Sequence, residues 1–226
     1  MIRFLIAGEG LTDYIVLKNI LIGFFRDKNL PISRLIPKDK EPVGWGNVLR
    51  YLATSEFRDG VINTDYIIIQ IDTDKCEDWN EGLHHIGDNA DKLDDFIREV
   101  IAVLVKKIGS DFYDQNKSKF LFAISIHEME CWLLPFIADR KAHWSKIVGC
   151  VNAIEWIAQK QGISINQKNY EDGKHYEKFS KDMKNHSILT KNYSLNPSLR
   201  TFVDMLKAVF PPPQAPQPDI QEPEQA

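Results

Sequence analysis

The 226 residues contain only three cysteines, Cys76, Cys131 and Cys150, with no CxxC pair among them. An odd, dispersed set of this kind suggests neither a disulfide framework nor a thiolate zinc site, so reduced thiols of a cytoplasmic protein are expected. No apolar run is long enough to span a bilayer, and the first residues, Met1-Ile2-Arg3-Phe4, enter a strand-like run without the basic and apolar regions of a signal peptide. Neither secretion nor a membrane partner is expected. Basic excess is missing too: the net charge is −4, which argues against a plain DNA-binding module gripping phosphates by bulk charge. An enzyme that reaches phosphate through a divalent cation is still compatible with that balance. There is no internal repeat, and no sustained heptad to fix an oligomeric state, which is left open.

What is present is globular: 43% hydrophobic and 27% charged residues, enough to bury one core. Ile2 to Ala7 is a short apolar run ending at Gly8-Glu9-Gly10, and helical spacing runs from Tyr14 to Phe25. Ser33 to Ile36 suits a second strand, and Asn47 suits the cap of a helix carrying Val48, Leu49 and Leu52. Tyr66 to Ile71 is an almost continuous β-branched run, as in a strand buried on both faces of a parallel sheet, and it ends in Asp72-Thr73-Asp74. Helical periodicity returns from Asp88 to Ile108, and Phe120 to Ile126 reads as another strand. Strand and helix thus alternate, which predicts an α/β fold with a mostly parallel sheet flanked by helices and ligands at the carboxyl ends of the strands.

Beyond Glu128 the pattern is helical. Helices are expected at Trp132 to Ile137, at Trp144 to Ala158 with Ile147, Val148, Val151 and Ile154 on one stripe, and from an Asn196-Pro197 cap to Phe210. The expected division is an α/β domain over 1–138, a helical extension packed on it over 139–210, and a proline-rich acidic tail over 211–226, read as disordered or polyproline-like.

Acids collect where the strands end: Glu9 with Asp13, Asp72 with Asp74, and Glu128 with Glu130. Hard carboxylate oxygens at such a place suit Mg²⁺ or Mn²⁺. Two carboxylates about 4 Å apart repel by roughly 4 kcal/mol at an effective dielectric of 20, and a cation reverses that sign. An isolated Asp-x-Asp is more often a solvated loop, so it is the coincidence of three clusters that points to a metal. Gly8 and Gly10 leave backbone room for a phosphate beside Glu9. Glu128 and Glu130 share a face only in extended chain, so one of them is expected to reach an ion, with Glu128 preferred.

These motifs, Glu9-Gly10-Leu11-Thr12-Asp13, Asp72-Thr73-Asp74 and Ser125 to Leu134, resemble the Toprim family. The likeness is closest to the small Toprim-like proteins of bacterial defence, relatives of the OLD-type nucleases, and it covers roughly residues 1 to 135. It implies Mg²⁺ held by Asp72 and Asp74, and acid–base or metal chemistry at Glu9. Asp13 stands where Glu is common. Glu9, Asp13 and Glu128 are the candidate catalytic acids, and Asp72, Asp74, Glu9 and Glu130 the candidate metal ligands. The implied activity is metal-dependent cleavage of phosphodiester bonds in DNA or RNA, in anti-phage defence and beside a protein partner of a defence system. Neither the tyrosine domain of a topoisomerase nor the zinc and helicase modules of a primase are found.

Other residues have plainer readings. His84, His85 and His127 lack HxH or HExxH spacing and are expected as hydrogen-bonded surface histidines, and Trp132 as core. The segment 167–191 sets six lysines against four acids. Lys174 and Lys178, one helical turn apart, are its candidate phosphate contacts, with Tyr170, Tyr176 and Phe179 as candidate base-stacking rings; a solvated helix face is the alternative. Two rival functions stand beside the nuclease: a catalytically silent Toprim-like binding module, and a phosphohydrolase of small nucleotides.

Overall fold

The computed structural model describes residues 2–38, 44–163 and 172–211. It is an α/β fold. Four strands, β1 (Phe4–Ala7), β2 (Ile32–Ile36), β3 (Tyr66–Asp72) and β4 (Phe120–Ser125), form one sheet in the order β2-β1-β3-β4, every neighbouring pair parallel. The chain leaves β1 for β2 on one side and returns to place β3 on the other. The sheet therefore has a topological switch point between β1 and β3, where α/β folds open a crevice at the carboxyl ends.

Ten helices flank the sheet among the described residues: α1 (Leu11–Phe25), α2 (Trp45–Tyr51), α3 (Ser55–Ile62), α4 (Leu93–Ile108), α5 (Ser110–Asn116), α6 (Glu130–Ile137), α7 (Cys150–Lys160), α8 (Asp172–Phe179), α9 (His186–Asn192) and α10 (Pro197–Val209). Side chains of β3 alternate between two cores, as the pleat requires. Ile67, Ile69 and Ile71 meet residues of α2, α3 and α4, whereas Ile68 meets α1, α6, α7 and the C-terminal helices. Asp72 has the parity of Ile68 and Gln70, so it ends the strand on the α1 side.

The C-terminal helices belong to that second core. Helix α1 packs on α8, on the turn Lys181–Lys184 and on α9, while α10 packs on β4. At Gly23 of α1 an added Cβ would stand 1.9 Å from the carbonyl oxygen of Met183, so only glycine allows this close approach. Trp132, fully buried as expected, donates its indole N–H to Ser198 Oγ at 2.5 Å. Asn196 caps α10 by accepting from Leu199 N at 3.0 Å, and its amide donates to the carbonyls of Cys131 and Lys146. Phe210 closes the helix against Phe25 and Tyr66, with ring centroids 5.0 and 4.8 Å apart.

Several expectations are corrected. Helix α2 starts at Trp45 with Gly44 as its cap, where φ is 98°, rather than at Asn47. The helix expected from Trp144 begins only at Cys150, because Gly149 (φ 65°) breaks the run; Ile147 goes to one core and Ile154 to the other. Cys131 and Cys150 form a disulfide, contrary to the expected reduced thiols, since α6 packs on α7 and brings their Cα atoms to 5.1 Å. Cys76 is free and buried, and burial together with the Glu77 charge pushes its thiol up to about 11. No described helix is long and apolar enough to cross a membrane. Residues 212–226 of the expected tail lie outside the described residues, as do Lys168 and Tyr170.

Candidate active site

The carboxyl end of β1 carries Glu9 to the switch point. Its backbone N–H donates to Gln70 Oε1 at 3.0 Å, and its carboxylate oxygen Oε1 accepts from Asp72 N at 2.7 Å, which ties the ends of β1 and β3 together. Gln70 Nε2 in turn donates to Asp72 Oδ1 at 2.9 Å. Gln70 is fully buried and is the one polar residue inside β3, a signal present in the sequence that the search for acids passes over. Gly8 and Gly10 do give room, but to protein groups: added Cβ atoms would stand 3.0 Å from Gln70 Oε1 and 3.2 Å from Asp13 Oδ2, respectively.

Asp13 lies buried in the first turn of α1. Glu130 opens α6, and its carboxylate accepts a hydrogen bond from the Tyr176 hydroxyl of α8. The loops after β3 and β4 are pinned to each other: Thr73 N donates to the carbonyls of Ser125 and His127, Asp74 N to His127 O, and His127 N to Thr73 Oγ1. His127 adopts a left-handed backbone in doing so, φ 64°, a conformation that costs a non-glycine residue of order 1 kcal/mol or more.

The acids act on one another. Glu9 is pushed up to about 8, first by burial and then by the charges of Asp13 and Asp74, against hydrogen bonds from the backbone of Asp72 and Trp45. Asp13 is pushed up to about 7 by burial and by Glu130. Asp72 is raised well above the carboxylate range by burial, then by Asp13, Glu9 and Glu130. Burial also raises Glu130, partly offset by the Tyr176 hydroxyl. Four carboxylates from three strand ends thus share one field. Their cost falls when a proton or a cation neutralises part of it.

The structure brings Glu9, Asp13, Asp72 and Glu130 together, with the Asp74 charge felt by Glu9 and Glu130. Glu128, the acid preferred from sequence, also raises Glu130, while its own Oε2 accepts from Val151 N at 3.2 Å, at the start of α7. Lys174 and Lys178 are exposed on α8, but Tyr176 and Phe179 are buried, which removes them as base-stacking rings. His127 is not a hydrogen-bonded surface histidine. Its ring stacks on His85 at 5.3 Å, and its buried Nδ1 has no hydrogen-bond partner among the described residues. Tyr176, expected as a stacking ring, serves the acids instead, a role that sequence reasoning misses because its contact with Glu130 spans 46 positions.

Among the described residues, no three acid, histidine or cysteine side chains stand drawn up as a metal site. Mg²⁺ needs no such cage: one or two carboxylates, waters and substrate oxygens commonly complete its shell. The donors here are all hard oxygen, and their mutual repulsion is what a divalent cation relieves, so the residues fit such an ion. Models of known protein families match no part of the chain, and curated proteins give no match either.

Proposed function

We propose that the chain is a Mg²⁺- or Mn²⁺-dependent phosphodiester hydrolase, a nuclease of the Toprim type acting on DNA or RNA. The observation that carries this reading is the convergence of Glu9, Asp13, Asp72 and Glu130 at the switch point of a parallel sheet, where Asp13 raises Glu9, Glu130 raises Asp13, and all three raise Asp72. Asp72, with one of Asp74 and Glu130 and with water and substrate oxygens, would hold the cation, which supplies charge neutralisation at the scissile phosphate and a more acidic water.

The chain's own residues do the rest. Gln70 fixes one oxygen of Asp72, and Tyr176 fixes Glu130. Glu9, raised toward neutrality by its buried setting, is suited to take a proton from the attacking water and to pass one to the leaving oxygen. Asp13, beside it, keeps that carboxyl's proton affinity high. Exposed Lys174 and Lys178 flank Tyr176 on α8 and offer phosphate contacts outside the acids. The role in bacterial defence, with a partner protein, rests on the resemblance of the motifs.

The test is a screen of single-stranded, duplex and structured DNA and RNA with Mg²⁺ and Mn²⁺. Cleavage by the wild type that is lost in Asp72→Asn and in Glu9→Gln supports the reading. Turnover of small nucleotides with polymers left intact would replace it by the phosphohydrolase, and no turnover at all by the silent binding module.

A further inference from the structure

With Tyr176 and Phe179 buried, any ring that meets a base must come from elsewhere on the surface. Of the five tryptophans, Trp156 on α7 is the exposed one, at 42%. Two cations attend it: Lys160 Nζ lies 3.5 Å from its ring centroid and the Arg140 guanidinium carbon 5.8 Å. Arg140, Trp156 and Lys160 line a small cleft with half-buried His143, and exposed Lys141 and Lys146 lie close in sequence. Between Asp139 and Lys160 four Lys and Arg face two acids, in a chain whose net charge is −4. The patch is thus a local basic island, with Asp139 as the acid in its lining, around an exposed tryptophan over whose ring the two cations stand.

The patch lies on α7, the helix whose first turn donates Val151 N–H to Glu128, five residues before Trp156. We infer that Arg140, Trp156 and Lys160 form a binding site for single-stranded nucleic acid, in which an unpaired base takes the place of the exposed Lys160 ammonium on the Trp156 ring and the two cations turn to the adjoining phosphates. The inference rests on the nuclease reading for its substrate class and sharpens it: the strand that the protein grips is unpaired. A duplex keeps its bases stacked inside and offers Trp156 no ring face, so the same patch would meet only its phosphates.

The experiment is fluorescence anisotropy with a labelled oligothymidylate and an oligouridylate of about 20 nucleotides, longer than the ~4–16 that one such site covers. It is run in EDTA, so that binding is read without cleavage, and beside a duplex of equal length. Wild type should bind the single strands more tightly than the duplex. Trp156→Ala should weaken single-strand binding about tenfold, within the range of one base–aromatic stack, and Trp156→Phe should keep most of it. Arg140→Ala with Lys160→Ala should weaken it as well and flatten the dependence on salt by about one to two phosphates. Unchanged melting temperatures of the variants separate these effects from misfolding. Equal binding by Trp156→Ala and wild type, preference for the duplex, or no binding of any strand overturns the inference. The acid site is judged separately, by the metal-dependent melting of Asp72→Asn: a metal shift without strand binding removes the patch alone, and strand binding without a metal shift removes the nuclease alone.

Discussion

Helices that link one strand to the next, α2 to α5, cover one face of the sheet with an apolar core; α1 and the helices after β4 cover the other and carry most of the buried polar groups. Asp13, Asn19, Ser180, Asn196 and Ser198 are all on this second side, joined by bonds such as Asn19 Nδ2 to Ser180 Oγ at 2.7 Å. The difference teaches where function is built. The connecting helices hold the strands, while the C-terminal helices complete the site, since α8 delivers the hydroxyl that holds Glu130. A segment that sequence reading treats as an extension thus reaches the acid cluster.

The contrast between the two sides breaks most severely at Gly23. A side chain there must displace the Met183 carbonyl, so Gly23→Ala should cost about 3 kcal/mol or more and push the turn Lys181–Lys184 off α1. Chemical denaturation measures it, and a loss below about 1 kcal/mol would show that the turn and the helix part without penalty. Next in size is the disulfide, which closes a loop between α6 and α7 on the same side, at a sequence separation of 19. Cys150→Ser should lose about 3 kcal/mol under oxidising conditions, and nothing in reductant relative to reduced wild type.

Protonation sharpens the contrast, because the raised acids all lie at one end of the second side. Glu9 and Asp13 keep their protons up to about 8 and about 7 in the folded state, against ordinary values of 4.5 and 3.8. The folded state therefore binds more protons than the unfolded chain between those limits, so stability falls as pH rises through that window and levels above it. Without metal, the melting temperature should drop on the order of 5 °C from pH 5 to pH 8. Mg²⁺ should restore most of the loss at pH 8. A flat profile would show that the acids do not share a field. Smallest is Tyr176→Phe, which removes one hydrogen bond to a carboxylate at a cost of about 1 kcal/mol while weakening Mg²⁺ affinity. Calorimetric titration with the metal reads the second effect, and unchanged affinity would reduce Tyr176 to packing.

The two sides are also unequally legible in the sequence. β1, β3 and β4 and the acids at their ends can be read because a buried parallel strand writes itself as a continuous apolar run, and the residues just past its end must lie at the carboxyl edge of the sheet. The cap at Asn196 is equally local. The features that escape depend on contacts between distant residues: Tyr176 on Glu130, the Cys131–Cys150 pair, and the hydrogen bond that Glu128 accepts from Val151 N–H. The false continuation of α7 back to Trp144 has a local cause, since Gly149 interrupts a stripe whose spacing alone looks unbroken.

We propose, as the centre of this site, carboxylates held together at a cost that a cation would remove. Melting wild type and Asp72→Asn at pH 8 in EDTA and in millimolar Mg²⁺ tests this most directly, because Asp72 sits among Glu9, Asp13 and Glu130. In EDTA the variant should melt at or above the wild type, and Mg²⁺ should raise the wild type by several degrees while leaving the variant nearly unmoved. A wild type indifferent to Mg²⁺, or an Asp72→Asn that melts well below it in EDTA, would contradict the claim.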